Sequence, residues 1–299
     1  MAKSSKKGKP RKSGFPQAAE KKPVVNNPHS PQTKRPMRWD LLALFLTIAI
    51  GGTYLAIVMR PRTAVETFTY EVLKTYKHDP AAFTQGFQMH DGFLWESTGR
   101  NGQSSIRKID LETGEILKQV DLEDKYFGEG LTYHDGLFYQ LTWKSGKVFV
   151  YDLDLNKVDE RSYQGHGWGL TSNGTDLILS EGTATLKFLD PETLEVRRSI
   201  RVLRTDGPVG KLNELEYVDY RGGRIYANAY GQDLIYEIEP EHGDVTKVIE
   251  LFKLWPSRER PSNEAILNGI TVNPKNDRWL VTGKLCPTIF ELNLFPKEE

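Results

Sequence analysis

The chain has 299 residues, of which 38% are hydrophobic, 27% charged and 11% aromatic, with 26 glycines. This balance excludes a multispanning membrane protein and a wholly unfolded chain, and it favours a turn-rich β protein over a helical bundle. The formal net charge is zero, and the single cysteine, Cys286, excludes an intrachain disulfide and a multi-cysteine metal site.

The zero charge is the sum of two unlike parts. Residues 1–38 hold 11 Lys/Arg and one acid, Glu20, whereas residues 60–299 hold 29 Lys/Arg and 38 Asp/Glu. An acidic body has no basic face for nucleic acid, so no nucleic-acid partner is expected. The basic segment, with six prolines among Lys and Ser, reads as a disordered topology signal over 1–38. Leu41–Met59 then runs 19 residues without a charge. As a helix it spans roughly 28 Å, about one hydrocarbon core. Together 39–60 reads as a single transmembrane signal anchor. The basic flank places the N-terminus in the cytoplasm and the body outside, in a periplasm-like space. A cleaved signal peptide is the rival. The long basic region before the apolar run and the lack of an Ala-x-Ala site near Met59 argue against it.

After a linker at 61–67, the body from 68 to 299 repeats one pattern five times: Gln85-Gly-Phe87, Glu129-Gly-Leu131, Trp168-Gly-Leu170, Asn213-Glu-Leu215 and Asn268-Gly-Ile270. The third members lie 44, 39, 45 and 55 residues apart, and each opens a series of short β-type runs separated by Gly, Asp and Asn turns. Four strands per repeat at this period predict an all-β propeller. A β-sandwich does not explain the repeat. The last repeat has only three strands, and Phe68–Tyr76, which precedes the first, is predicted to supply its fourth and close the ring.

In a propeller the innermost strands line a channel. Their first positions are Gln85, Glu129, Trp168, Asn213 and Asn268, and the ends of the second strands add Trp143, Tyr230 and Lys284. A carboxylate, amides, a lysine and aromatics converging at one mouth make a candidate small-ligand pocket. Glu214 and Glu216 are read as satisfying backbone amides or facing solvent, with a cation site as the alternative. His78, His90, His134 and His166 lack ligand spacing and are read as turn and surface residues. The segment 240–267, with Phe252, Trp255, Arg258 and Arg260, is either a binding loop or a surface turn or short helix packed on the ring.

The runs His78-Asp-Pro-Ala-Ala-Phe-Thr-Gln-Gly86, Phe127-Gly-Glu-Gly-Leu-Thr132, Gly167-Trp-Gly-Leu-Thr171, Leu212-Asn-Glu-Leu-Glu216, Leu267-Asn-Gly-Ile270 and Val281-Thr-Gly-Lys-Leu285 occur in that order. They resemble the plant and bacterial glutaminyl-peptide cyclotransferases, over about Phe68 to Leu294. The resemblance implies a five-bladed propeller. It also implies an acyltransferase-type reaction, closure of an N-terminal glutaminyl residue to 5-oxoproline with release of ammonia. Its partner would be a peptide or protein beginning with Gln. Carried over residue by residue, the site falls on Phe83, Gln85, Phe127, Glu129, Trp143, Trp168, Asn213 and Lys284. Two positions depart from the family: Tyr230 where Trp is frequent, and Cys286-Pro287 where Trp-Pro is frequent, which leaves the width of that wall open.

The residue chemistry then assigns roles. Glu129, the only carboxylate at a channel-start position, is the expected proton shuttle. Lys284, with amide donors from Gln85 or Asn213, is expected to stabilise the oxyanion. Phe83, Phe127, Trp143, Trp168, Tyr230 and Asn268 are expected to hold the substrate. No cofactor and no metal are expected, and a monomer is. Two other functions stay open at this point: a non-enzymatic propeller that binds peptide or protein ends, and a metal-dependent propeller hydrolase or lactonase using Glu129, Asn213 and Asn268 as ligands.

Overall fold

Short alternating runs bounded by turn residues become antiparallel strands because each buries one face and closes with a local side-chain acceptor. The chain divides into two units, residues 1–60 and 61–299. The computed structural model describes residues 64–298. Within them the strands form consecutive four-stranded meanders. The first is Thr84–His90, Phe93–Thr98, Ser105–Ile109 and Ile116–Asp121. The second is Gly128–His134, Leu137–Thr142, Lys147–Tyr151 and Lys157–Ser162. The third is Leu170–Ser172, Leu177–Ser180, Thr185–Leu189 and Val196–Arg201. The fourth is Leu212–Val218, Arg224–Ala229, Leu234–Ile238 and Val245–Glu250. The fifth is Leu267–Asn273, Arg278–Gly283 and Thr288–Pro296, and its outer strand is Glu66–Lys77 from the other end of the body.

That outer strand runs antiparallel to Thr288–Pro296, where the sequence analysis put the Phe68–Tyr76 run. Its first residues also pair in parallel with the edge of the fourth meander, Glu66 opposite Lys247 and Phe68 opposite Ile249, so the fourth and fifth meanders share one eight-stranded sheet. The core is distributed in the same cyclic way. Separate apolar clusters lie between the first and second meanders (Trp95, Phe138) and between the second and third (Leu141, Leu179). Others join the third to the fourth (Phe188, Ile225) and the fourth to the fifth (Tyr226, Trp279). One more joins the fifth back to the first (Leu280, Phe87). The result is an all-β, propeller-like fold with a nearly closed ring of sheets.

The turn after the third strand is built alike in the first four meanders. A carboxylate at its first position (Asp110, Asp152, Asp190 or Glu239) accepts backbone N–H groups from within the turn. The inner strands carry the feature that matters for the site. In four of the five, strand pairing slips: between Thr84 and Gly86, Gly128 and Leu131, Leu212 and Leu215, and Leu267 and Ile270. A β-bulge re-aims the side chains at its extra position, and the first residues inside these slips are Gln85, Glu129, Asn213 and Asn268. The third inner strand is shorter and begins after Gly169. A Cβ on Gly169 would overlap the carbonyl oxygen of Asn213, so only glycine allows the fourth inner strand to lie this close.

One reading is corrected here, and one pair of alternatives is decided at Trp255. His78 is not a surface residue: it is 7% exposed, its Nε2 lies 3.0 Å from Glu96 Oε1, and its Nδ1 lies 2.6 Å from the Cys286 carbonyl. Burial pushes its pKa down, but the Glu96 carboxylate outweighs that and raises it. Of the two readings of 240–267, Trp255 follows the one packed on the ring. It is 5% exposed within the core between the fourth and fifth meanders, and its carbonyl accepts from Arg260, which also pairs with Asp233 at 2.8 Å. The basic segment and the proposed anchor at 39–60 lie outside the described residues. Among the described residues no helix is long and apolar enough to cross a membrane.

Candidate active site

Four bulged or shortened inner strands and the ends of three second strands surround a cavity of about 310 Å³. Phe83, Gln85, Phe127, Glu129, Trp143, Trp168, Asn213, Tyr230 and Lys284 all line it. The second-strand ends are fixed by equivalent backbone bonds: Trp143 N–H to Phe127 O, Tyr230 N–H to Lys211 O, and Lys284 N–H to Ile266 O. The aromatic rings make two walls. Phe127 meets Phe83 edge-on at 6.1 Å and Trp143 at 5.6 Å, and Trp168 leans on Tyr230 at 5.5 Å. The Lys284 Nζ lies between the walls, 4.9 Å from the Phe83 ring and 5.3 Å from the Tyr230 ring.

Electrostatics single out two groups. Glu129 is 4% exposed, and its side chain has no hydrogen-bond partner among the described residues. Burial drives its pKa well above the ordinary carboxylate range, opposed by the positive charge of Lys284. Burial likewise pulls Lys284 down to about 8, opposed by Glu129 and Glu264. Each charge is therefore costly alone and partly compensated by the other. Two buried amide oxygens, Gln85 Oε1 and Asn213 Oδ1, lack a hydrogen-bond partner among the described residues. Buried polar atoms left open in a cavity wall are where a ligand's own polar groups fit.

Several expectations need adjusting. Asn268 does not line the cavity. It is fully buried behind Asn213, accepting from Asn213 Nδ2 at 2.6 Å and donating to the Thr84 carbonyl at 2.9 Å. The suggested metal set of Glu129, Asn213 and Asn268 therefore does not converge, since Glu129 and Asn213 line the cavity and Asn268 does not. Cys286 does not shape the wall: it is buried in the core between the fourth and fifth meanders, its thiol donating to Thr288 O. Glu214 and Glu216 satisfy backbone amides, as read from the sequence. Glu214 takes Phe87 N–H on one oxygen and Ile270 N–H on the other, at 3.2 and 2.9 Å. Glu216 accepts from Thr271 Oγ1 and Val272 N–H on one oxygen.

Two lining residues were missed, Arg100 and Glu264. They form a 2.7 Å ion pair, and the guanidinium lies 4.4 Å from the Phe83 ring. Arg100 was within reach of the repeat. Gly99 N–H bonds to Phe83 O, so Gly99 is the first-meander counterpart of Trp143, Tyr230 and Lys284, and Arg100 is next to it. The Phe127 ring occupies the space a Gly99 side chain would fill. Glu264 belongs to the 240–267 segment, which interrupts the repeat, and no periodic signal marks it.

A family model described as glutamine cyclotransferase matches residues 44–294. The chain belongs to this family. A glutaminyl-peptide cyclotransferase of Arabidopsis thaliana is 38% identical over 229 residues, covering 75% of this chain and 71% of its own. The crystal structure of Myxococcus xanthus glutaminyl cyclase superposes with a TM-score of 0.73 at 32% identity, covering 79% of this chain and all of its own. Cyclotransferase chemistry must fold a short substrate side chain onto its own amine away from water. A small aromatic cavity with one buried acid and one buried base has the parts for that task.

Proposed function

We propose that this chain cyclises N-terminal glutaminyl residues of peptides or proteins to 5-oxoproline and releases ammonia. The carrying observation is that Glu129 and Lys284, each shifted by burial and by the other's charge, line one aromatic cavity of a glutamine cyclotransferase family member. The substrate's α-nitrogen attacks the δ-carbon of its own carboxamide. A new N–C bond forms, the carboxamide C–N bond breaks, and ammonia leaves. A carboxyl with a raised pKa suits the α-amine, whose ordinary value is about 7.7–8.0. An incoming ammonium gives its proton to Glu129, so a neutral amine faces a protonated acid. Glu129 then donates to the departing nitrogen, takes one proton from the attacking nitrogen and passes the extra proton to the released ammonia, which leaves as ammonium and restores the carboxylate for the next substrate. Lys284, still charged at neutral pH with a pKa of about 8, balances the oxyanion. The Phe127–Trp143 and Trp168–Tyr230 walls hold the folded side chain and keep water out.

The same reading makes the ring a five-bladed propeller, supported by the cyclic order of the apolar clusters. The apolar run 41–59 and its basic flank support a membrane-anchored chain with the catalytic body on the extracytoplasmic, periplasm-like side. The test is to incubate purified protein with a Gln-initiated peptide and follow ammonia and loss of the free amine by mass. Stoichiometric appearance of ammonia and 5-oxoproline is expected. A folded protein that produces neither overturns the reading.

A further inference from the structure

The polarity of one cavity-wall group is fixed by a chain of hydrogen bonds behind it. The chain starts at the Thr84 carbonyl, which only accepts. The Asn268 side chain reaches it at 2.9 Å, so the atom there is Nδ2, and Asn268 Oδ1 must face the other way. Facing it at 2.6 Å is the Asn213 side chain, which must therefore present its own Nδ2. Asn213 Oδ1 is left buried, without a partner among the described residues, on a residue that lines the cavity. Reversing either amide would put two oxygens or two NH2 groups in contact. Thr84, Asn268 and Asn213 are each no more than 1% exposed, so water cannot relieve such a clash. Asn213 is thus a fixed acceptor. One N–H of its amide is committed to Asn268 and its oxygen is the end left open, so the oxyanion task that the sequence shares between Gln85 and Asn213 falls to Gln85. Gln85 is under no such constraint, because neither end of its amide is engaged among the described residues.

Resting on the cyclotransferase reading of this cavity, we propose that Asn213 Oδ1 accepts a hydrogen bond from the substrate's α-amino group, and that Asn268 is the positioning residue that holds it in that sense. The α-amine is the only part of an N-terminal glutaminyl residue that has N–H donors and must also turn its lone pair toward the δ-carbon. An acceptor that takes one N–H aims that lone pair. The carboxamide NH2 of the same residue also donates, so the two must be told apart.

The test uses two peptides that cannot cyclise. In one the first residue is a 4-carbamoylbutanoyl group, which keeps the carboxamide and lacks the α-amine. In the other it is norleucine, which keeps the amine and lacks the carboxamide. Affinities are measured by calorimetry on the wild type, Asn268→Ala and Asn268→Asp. Asn268→Ala frees the Asn213 amide to turn over. It should weaken the norleucyl peptide about tenfold, as expected for one hydrogen bond to a charged or strongly polar group, and change the carbamoylbutanoyl peptide less than about twofold. Asn268→Asp should keep the wild-type preference, because a protonated carboxyl there gives its O–H to Thr84 O and still accepts from Asn213. If Asn268→Ala does not fold, Asn213→Ala is measured on the same pair and should show the same selective loss. Equal weakening of both peptides, no weakening of either, or selective loss of the carbamoylbutanoyl peptide overturns the inference. Ammonia release from a Gln peptide by the wild type is scored separately. Its absence defeats the functional reading, whereas its presence with an unchanged peptide preference defeats only this one.

Discussion

Glu129→Gln is the sharpest perturbation of the proposed chemistry. The substitution keeps the shape of the side chain and removes its ability to shuttle a proton. Glu129 is 4% exposed and holds no hydrogen bond among the described residues, so the change breaks no structural contact. Burial disfavours its charged form, but that charge also compensates the buried Lys284, so the two effects oppose and the melting temperature should move by no more than a few degrees. Loss of positioned acid–base catalysis should lower kcat by about 10²–10⁴, or about 3–5 kcal/mol of barrier. KM should stay close to wild type, because the aromatic walls that hold the side chain are untouched. A second effect follows from the electrostatics. Glu129 is the first of two carboxylates that raise the Lys284 pKa, so without it Lys284 falls below about 8. Residual activity should then decline at lower pH than in the wild type. The assay is continuous ammonia release from a Gln-initiated peptide across pH, with folding checked by circular dichroism. Turnover within a few-fold of wild type, or a loss carried wholly by KM, would refute the assignment of Glu129 as the proton shuttle.

Other consequences follow from neighbouring groups. Glu264 also raises the Lys284 pKa, so Glu264→Gln should move the alkaline limb of kcat/KM to lower pH, by a fraction of a unit because Glu264 is largely exposed; a limb that stays put or moves up would remove Glu264 from the site's electrostatics. Glu216 is raised by burial to about 8 from an ordinary 4.5, so in that window the native state holds a proton the unfolded chain has lost, and stability falls as pH rises through it. Glu216→Gln keeps the accepting oxygen used by Thr271 and Val272, and its melting temperature should gain on wild type from about pH 4.5 to about pH 8 and level off above; a constant difference would contradict the linkage. At Glu214 each oxygen takes a different backbone N–H, so Glu214→Gln must set an NH2 against one of them and should destabilise by about 1–3 kcal/mol in urea unfolding, with equal tolerance at 214 and 216 the contrary result. Gly182 has φ +68°, and a Cβ there would lie 2.6 Å from the Trp168 ring; Gly182→Ala should raise KM for Gln peptides along with a modest loss of stability, and a stability loss with unchanged KM would show that Trp168 does not touch substrate.

Much of the site was legible because a repeat fixes equivalent positions. Gln85, Glu129 and Asn213 are visible as the first members of inner strands, and Trp143, Tyr230 and Lys284 as the ends of second strands. The bulges that turn the inner residues into the cavity leave no signature beyond an adjacent small or polar residue. This is also why Asn268 was misplaced. It occupies the same position as Gln85, yet its side chain is claimed by Asn213 and Thr84 before it reaches the cavity. His78 failed for a different reason. Its partners are Glu96 and the Cys286 carbonyl, and the latter comes within reach only because the fifth meander packs on the first. Spacing along a sequence does not show which elements meet when a ring closes. Glu264 was hidden by an insertion, where periodicity no longer speaks.

The inner-strand bulge at Asn213 and Glu214 explains why fold closure and site geometry are not separable in this protein. The slip between Leu212 and Leu215 sends two consecutive side chains to different tasks. Asn213 goes to the cavity wall and is held by Asn268 of the fifth meander, which is held in turn by Thr84 of the first. Glu214, one residue on, ties Phe87 of the first meander to Ile270 of the fifth. Both residues therefore span the junction where the two ends of the body meet. If that junction loosened, the Asn213 acceptor would lose its fixed sense and Gln85, two residues before Phe87, would lose its register against the cavity. Pairing of Glu66–Lys77 with Thr288–Pro296 holds the same junction from the rim. A strand far from the chemistry and two amides beside it thus restrain one geometric quantity, the registry of the first meander against the fifth. The proposed reaction needs an amine aimed at a carbon within its own side chain, so it depends on that registry being tight.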